Sequence, residues 1–268
     1  MKANSKISII TVSYNAVITI EQTILSVINQ SYSNTEYIII DGGSTDGTVD
    51  IIKKYQDRLA YWVSEPDNGM YDALVKGMKH VTGDICAYIN ADDFYQLYAF
   101  DIVSEVFENS SRKWITGITT IYNDKSQIVE AKVPYIYRNG FIKKGLYNGK
   151  TLPYIQQEST FWRTELLQEV DFEKLSRIKY AGDFYLWKCF AKKAELNIVR
   201  AILSGFRIIQ GQLSENIEEY KLEMKALSEE NNNVLDWLQV LFDHLYAGFP
   251  IRFNKNIIKY DYEKNRWE

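Results

Sequence analysis

The sequence predicts an α/β fold built on a mixed, mainly parallel sheet, with a helical C-terminal appendage beyond residue 214. Three observations carry this. Short β-branched runs alternate with stretches of helical period over residues 7–95. The connections between them are short, which favours parallel strands joined by right-handed crossovers. Each apolar run stops at polar or acidic residues, as expected where the carboxyl ends of parallel strands form one ligand crevice.

Taken in order, Ile7–Ser13 is long enough for a buried strand. Thr19 and Gln22 fit a capping box ahead of a helix whose apolar stripe is Ile20, Ile24, Val27 and Ile28. Glu36–Asp41 reads as a second strand, Tyr61–Ser64 as a third and Ile85–Asn90 as a fourth. Val49, Ile52 and Tyr55 mark a second helix, and Met70–Val81 a third. Leu97–Glu108 reads as a helix, and Trp114–Val133 as strands turning at Asn123-Asp124. Beyond these come a helix at Phe184–Ala194, one or two strands in Leu196–Ile209, and a Glu-rich helix at Ser214–Asn231. A more apolar helix, Val234–Tyr246, carries Leu235, Leu238, Leu241, Phe242 and Leu245. The expected division is a domain at 1–214, in two halves at 1–95 and 96–214, followed by the appendage at 215–268.

Composition excludes several chemistries. The 268 residues are 25% charged and 46% hydrophobic, as in a soluble globular protein. His80 and His244 are the two histidines, so three-histidine sites and an HExxH helix are impossible. Cys86 and Cys189 form no CxxC pair and sit in apolar runs, which reads as buried thiols. With no leader-like segment, the cytoplasm is the expected compartment. A net charge of −4 gives no drive toward nucleic acid, and no apolar run approaches the about 18 residues of a membrane span. Charge is uneven, however. Residues 131–157 hold no acid but carry Lys132, Arg138, Lys143, Lys144 and Lys150 among Tyr135, Tyr137, Phe141, Tyr147 and Tyr154. With the apolar helix 234–246 and Arg252, Lys255 and Lys259, this stretch has two readings. One is peripheral docking at the inner face of the cytoplasmic membrane. The other is loop packing and a helix that covers the core.

Two motifs carry chemistry. Asn90-Ala91-Asp92-Asp93 follows a strand, and adjacent carboxylates repel unless something positive lies between them and a ligand. A hard divalent cation bridging to a diphosphate meets that need; a helix N-cap is the plainer alternative. Asp41-Gly42-Gly43-Ser44-Thr45-Asp46-Gly47 places a carboxylate at a strand end before glycines that permit close backbone approach. Neither GxGxxG nor a P-loop is present.

Together with Ile9–Asn15, Glu65-Pro66-Asp67-Asn68-Gly69-Met70-Tyr71-Asp72-Ala73 and Gly83-Asp84, these motifs resemble glycosyltransferase family 2, in its bacterial polysaccharide-type members. The resemblance implies a GT-A fold, the Rossmann-like sheet of nucleotide-diphospho-sugar transferases. It implies metal-dependent, inverting transfer from a nucleoside diphosphate sugar, most simply a UDP-sugar, to a polysaccharide or lipid-linked glycan. By the same resemblance, Val12 and Tyr14 would line the uracil and ribose, Asp41 would accept from the base, and Asp67 would lie near the nucleotide. Asp92 would touch the ribose or donor sugar, and Asp93 would hold Mn²⁺ or Mg²⁺. Asp72 and Lys76 are weaker donor-site candidates, since either suits a surface helix. Asp183, in Ala181-Gly182-Asp183-Phe184, matches the family's general base. The family often has His-Gln before Thr-Phe, where this chain reads Gln156-Gln157-Glu158-Ser159-Thr160-Phe161. That departure leaves room for a donor-binding subunit without turnover. A sugar-phosphate nucleotidyltransferase would want a basic Gly-rich loop at Tyr14-Asn15-Ala16, which is absent.

Overall fold

The computed structural model describes residues 5–134, 136–228, 234–246 and 256–268. Tyr135, Arg252 and Lys255 of the basic stretches lie outside them. The first half runs β1 (Ile7–Ser13), α1 (Ile20–Ile28), β2 (Thr35–Asp41), α2 (Thr48–Lys54), β3 (Tyr61–Ser64), α3 (Met70–Met78), β4 (Ile85–Asn90), β5 (Phe94–Tyr95) and α4 (Ala99–Glu108). It continues through β6 (Trp114–Thr116), β7 (Thr119–Tyr122), β8 (Ile128–Lys132), α5 (Asn139–Lys144), β9 (Thr160–Arg163), α6 (Phe172–Arg177) and α7 (Gly182–Phe190). The chain closes with β10 (Leu196–Val199), β11 (Ser204–Arg207), α8 (Ile217–Leu227), α9 (Val234–Tyr246), β12 (Ile257–Ile258), β13 (Tyr260–Asp261) and β14 (Arg266–Trp267).

The main sheet has the order β12-β10-β6-β9-β4-β1-β2-β3. β1 pairs in parallel with β2 and β4, and β2 with β3, so four strand ends emerge along one edge. β9 runs antiparallel to β4 and β6, which makes the sheet mixed. A smaller sheet, β5-β11-β7-β8, stands beside it.

The period of two in the strands divides the core. Ile10 and Val12 of β1, Ile38 and Ile40 of β2 and Tyr88 of β4 face one side, with Leu74 of α3 and Trp187 and Phe190 of α7. Ile7, Ile9, Tyr37, Ile39, Ile85 and Ile89 face the other, against Ile20 and Ile24 of α1 and Phe100 and Val103 of α4. All seven residues of β1 are buried, as a strand covered on both faces requires. Cys86 and Cys189 are free, buried thiols.

Three details differ from the sequence reading. The capping box does not form: Thr19 makes no side-chain cap, and Gln22 turns to Arg207. Thr23 instead donates to the Asp93 carbonyl (2.6 Å), tying α1 to the turn after β4. The tail is not helical throughout, since β12 extends the main sheet beside β10 and Trp267 N–H donates to Glu105 of α4 (2.9 Å). The apolar stripe of α9 does not cover the core: Leu235, Leu238, Leu241 and Leu245 are 54–74% exposed. By contrast, Tyr137, Phe141 and Tyr147 of the basic stretch are buried, as its packing alternative required. Among the described residues, no helix is long and apolar enough to cross a membrane.

Helix α3 lies close on the sheet through Gly77. A Cβ there would stand 2.6 Å from Ile10 Cγ2 and 3.3 Å from Ile40 Cγ1. Gly77→Ala gains helix propensity but overpacks this contact, and we expect a net loss of about 1–2 kcal/mol. A lowered urea midpoint at unchanged slope checks this.

Candidate active site

The site is built at the carboxyl ends of β1 to β4. The loops after β1 and β2 are laced together: Asn15 N–H donates to Ser44 Oγ (2.7 Å), Thr45 N–H to Asn15 Oδ1 (3.0 Å), and Val17 N–H to Asp46 Oδ2 (3.0 Å). Asn15 takes a left-handed φ of 47° to turn the chain. Val12 is buried in the sheet, whereas the Tyr14 ring is 68% exposed beside the Asp41 turn.

Asp41 and Asp67 sit in different environments. Asp41 is fully buried and accepts from Gly43 N–H (3.1 Å), Ser44 N–H (2.9 Å), Ser44 Oγ (2.5 Å) and Ser64 Oγ (2.6 Å). Its carboxylate is therefore engaged in building the Gly42-Gly43 turn. Asp67 is half-buried. Its Oδ1 accepts from Gly69 N–H (2.8 Å), and a Cβ on Gly42 would lie 2.5 Å from its Oδ2. The missing side chain at position 42 is what makes room for the Asp67 carboxylate. Asp72 and Lys76 fasten this loop: Asp72 accepts from Asn68 N–H (3.0 Å), and Lys76 pairs with Glu65 (2.8 Å) and donates to the Pro66 carbonyl (3.2 Å).

Beyond β4 the charges crowd. Asp93 is fully buried; its Oδ1 accepts from Arg207 N–H (2.7 Å), and its Oδ2 has no partner among the described residues. Burial pushes its carboxyl well above the usual range, with Asp92 and Glu158 adding to the effect against Arg207. Asp92 is half-buried and accepts from Gln212 Nε2 (2.6 Å). It is thus the more accessible of the two, although Asp93 is the expected metal ligand. Glu158, unassigned from the sequence, is buried and pushed up to about 8, chiefly by burial, with Asp183 and Asp92 contributing. The residues around it are clamps. Gln156 bonds both N–H and carbonyl of Thr120 (3.0 and 2.7 Å), and Gln157 donates to the Tyr88 carbonyl (2.5 Å). Gln156, where the chain departs from the His-Gln pattern, and Gln157 therefore hold the turn before β9 that presents Glu158.

Among the described residues, no three acidic, histidine or cysteine side chains converge as a closed metal cage. Mg²⁺ and Mn²⁺ need none, because one or two carboxylates completed by substrate phosphates suffice. Among the described residues Asp93 Oδ2 has no hydrogen-bond partner, and with the accessible Asp92 it offers oxygens to a hard cation, whose charge would favour the ionised form that burial opposes.

Asp183 lies in the first turn of α7. It accepts from Phe184 N–H (2.7 Å) and from Tyr220 Oη, 3.1 Å from both oxygens, and its own N–H donates to Tyr71 Oη (3.2 Å). Gly182 allows this approach, since a Cβ there would stand 2.3 Å from the Tyr71 ring. Burial raises the Asp183 carboxyl to about 6, against the hydrogen bonds of Phe184, Tyr220 and Tyr71. Helix α8 also supplies Glu223, which accepts from the N–H groups of Lys179 (2.9 Å), Tyr180 (2.7 Å) and Ala181 (2.7 Å). Tyr220 and Glu223 had no signal in the sequence beyond a Glu-rich helix. Arg207 had one, a cation ending an apolar strand.

A doubly wound sheet with a paired-carboxylate turn after its fourth strand and a carboxylate opening a later helix defines a sugar-nucleotide transferase of GT-A type. The comparisons agree. A family profile described as glycosyl transferase family 2 matches residues 8–170, and the chain belongs to that family. An uncharacterised glycosyltransferase of Mycobacterium tuberculosis is 36% identical over 114 residues, 42% of this chain and 43% of the relative, so the match spans less than half of that protein. The Escherichia coli UDP-Glc:alpha-D-GlcNAc-diphosphoundecaprenol beta-1,3-glucosyltransferase WfgD is 23% identical over 259 residues, 90% of this chain and 93% of WfgD. S. aureus TarS 1–349 in complex with UDP-GlcNAc shares the fold at a TM-score of 0.64 and 15% identity, covering 91% of this chain and 72% of TarS. The Pyrobaculum calidifontis mannosyltransferase PcManGT, in complex with GDP-Man and Mn²⁺, shares it at 0.60 and 15%, covering 92% and 71%.

The phenol of Tyr220 favours the charged form of Asp183, so removing it raises that carboxyl's pKa. Activity that needs the carboxylate should rise with pH through about 6 in the wild type. In Tyr220→Phe we expect the acidic limb of kcat/KM to move up by about one unit. A purely structural role would lower the rate without moving the limb.

Proposed function

We propose that the chain is a metal-dependent, inverting transferase that moves a glycosyl unit from a UDP-sugar to a hydroxyl of a glycan or lipid-linked glycan at the cytoplasmic face of the membrane. The observation that carries this is Asp183: a half-buried carboxyl raised to about 6, held by Tyr220 and Tyr71 within electrostatic reach of Glu158, itself influenced by Asp92. A base poised near neutral pH, opposite the carboxylates that face a diphosphate, is what hydroxyl attack on a sugar nucleotide requires. Asp183 takes the acceptor proton, the acceptor oxygen bonds to the anomeric carbon from the open face, and the bond to the diphosphate breaks. The nucleoside diphosphate departs with the bonding pair, and the anomeric centre inverts.

Within this reading, Asp67 rather than Asp41 faces the base, because Asp41 already accepts four hydrogen bonds while Asp67 Oδ2 lies open over Gly42. Tyr14 offers its ring to the nucleoside. Asp92, with Asp93 beneath it, would hold Mg²⁺ or Mn²⁺, which supplies positive charge to the departing diphosphate. Asp93 itself fixes Arg207 and the turn. WfgD, whose name specifies a UDP-sugar and a diphosphoundecaprenol-linked acceptor, supports both substrate assignments. We read residues 1–214 as the transferase body, with the helices beyond completing the acceptor side through Tyr220.

Asp183→Asn should lower kcat by about 10³-fold with UDP affinity within about twofold of wild type. Wild-type turnover in that variant refutes the base assignment. Asp67→Ala should weaken UDP binding by about 10–100-fold in calorimetry. If Asp41→Asn alone has that effect in a stably folded protein, the two aspartates exchange roles.

A further inference from the structure

Beyond Tyr220 lies a cavity of about 580 Å³, between the end of α5, residues 145–154, α8 and α9. Its charged lining is all basic: Lys144, Lys150, Lys221 and Lys225. Lys144 pairs with Asp236 and Lys221 with Glu218, whereas Lys150 and Lys225 make no ion pair among the described residues. Tyr154 forms one wall and packs edge-on against Tyr220 at 5.6 Å. Tyr220 in turn bonds Asp183, so two rings, Tyr154 and Tyr220, stand between the cavity and that carboxylate.

The outer border is α9, which is mounted with its polar side inward. Asp236, Val240 and Asp243 recur at helical spacing on the protected face. Arg138 forks onto Asp243 (2.7 and 2.6 Å), Lys144 holds Asp236, and His244 Nε2 lies 2.9 Å from the Thr151 carbonyl. Two ion pairs thus fix an orientation in which Leu235, Leu238, Leu241 and Leu245 point away from the protein, with Trp237 at the cavity rim and 52% exposed.

Lys150 and Lys225, which make no ion pair among the described residues, fit phosphate, and a row of outward leucines with an interfacial tryptophan fits hydrocarbon below a headgroup layer. One molecule joins these properties: a polyprenyl diphosphate carrying a glycan, seated in a bilayer. We propose that this cavity receives the diphosphate of such an acceptor while α9 rests on the lipid surface. The sugar end then passes Tyr154 and Tyr220 to reach Asp183. This deepens the acceptor assignment above and rests on it.

The test is vesicle flotation with the full chain. It uses phosphatidylcholine alone, phosphatidylcholine with phosphatidylglycerol, and phosphatidylcholine doped with undecaprenyl diphosphate at matched charge. We expect binding to doped vesicles to exceed both others. Lys150→Glu with Lys225→Glu should weaken doped-vesicle binding about tenfold, and Leu238→Ser with Leu241→Ser should abolish binding to every vesicle. UDP titration without lipid should stay within twofold of wild type in both pairs. A chain that binds vesicles as expected but never binds UDP would refute the donor reading and leave this one standing. Equal binding to phosphatidylglycerol and undecaprenyl diphosphate overturns the acceptor cavity. So does a dimer in solution that the leucine variant splits, with no vesicle binding, because α9 would then meet a second copy.

Discussion

Asp92, Asp93, Glu158 and Asp183 gather at the end of the sheet, and three of the four are raised by burial. Arg207 is the cation set against them, its guanidinium 4.9 Å above the Phe94 ring. Burying like charges together costs free energy unless they are neutralised by protonation or by a ligand. The surrounding architecture is arranged to hold that tension. Thr23 pins the turn that carries Asp92 and Asp93, Gln212 reaches across from the loop after β11 to one of them, and the glutamine clamps fix Glu158 between the two halves. A positively charged group bound beside Asp92 would relieve that repulsion.

The first half of the chain was largely legible. β1 to β4 are covered on both faces, so their sequences are continuous apolar runs that end abruptly at polar residues. Periodicity could not decide which carboxylate in a conspicuous motif faces outward. Asp41 and Asp93 hold the more prominent positions in their motifs, yet both are fully buried and bonded to their own chain. Their neighbours in space, Asp67 and Asp92, keep the accessible oxygens. A strand end sets where a side chain begins, and local donors such as Ser44, Ser64 and the Arg207 N–H set whether it stays free.

The C-terminal helices were legible as helices and illegible in their attachment. An amphipathic stripe announces two faces without saying which meets the protein. For α9 the answer depends on Arg138 and Lys144, about a hundred residues upstream, whose bonds to Asp243 and Asp236 turn the polar face inward. For α8 the decisive groups are single residues, Tyr220 and Glu223, with no periodic signature at all.

Those two residues also explain why the helices beyond 214 belong to the site. Glu223 takes the three N–H groups that lead into α7, and Tyr220 takes the carboxylate in its first turn. A group that displaces α8 therefore moves both the backbone that aims Asp183 and the phenol that tunes it. Met224, on the same helix, lines the cavity and packs against Phe184, the residue after Asp183. The lining of the cavity and the hydrogen bonds around Asp183 thus rest on one helix, α8.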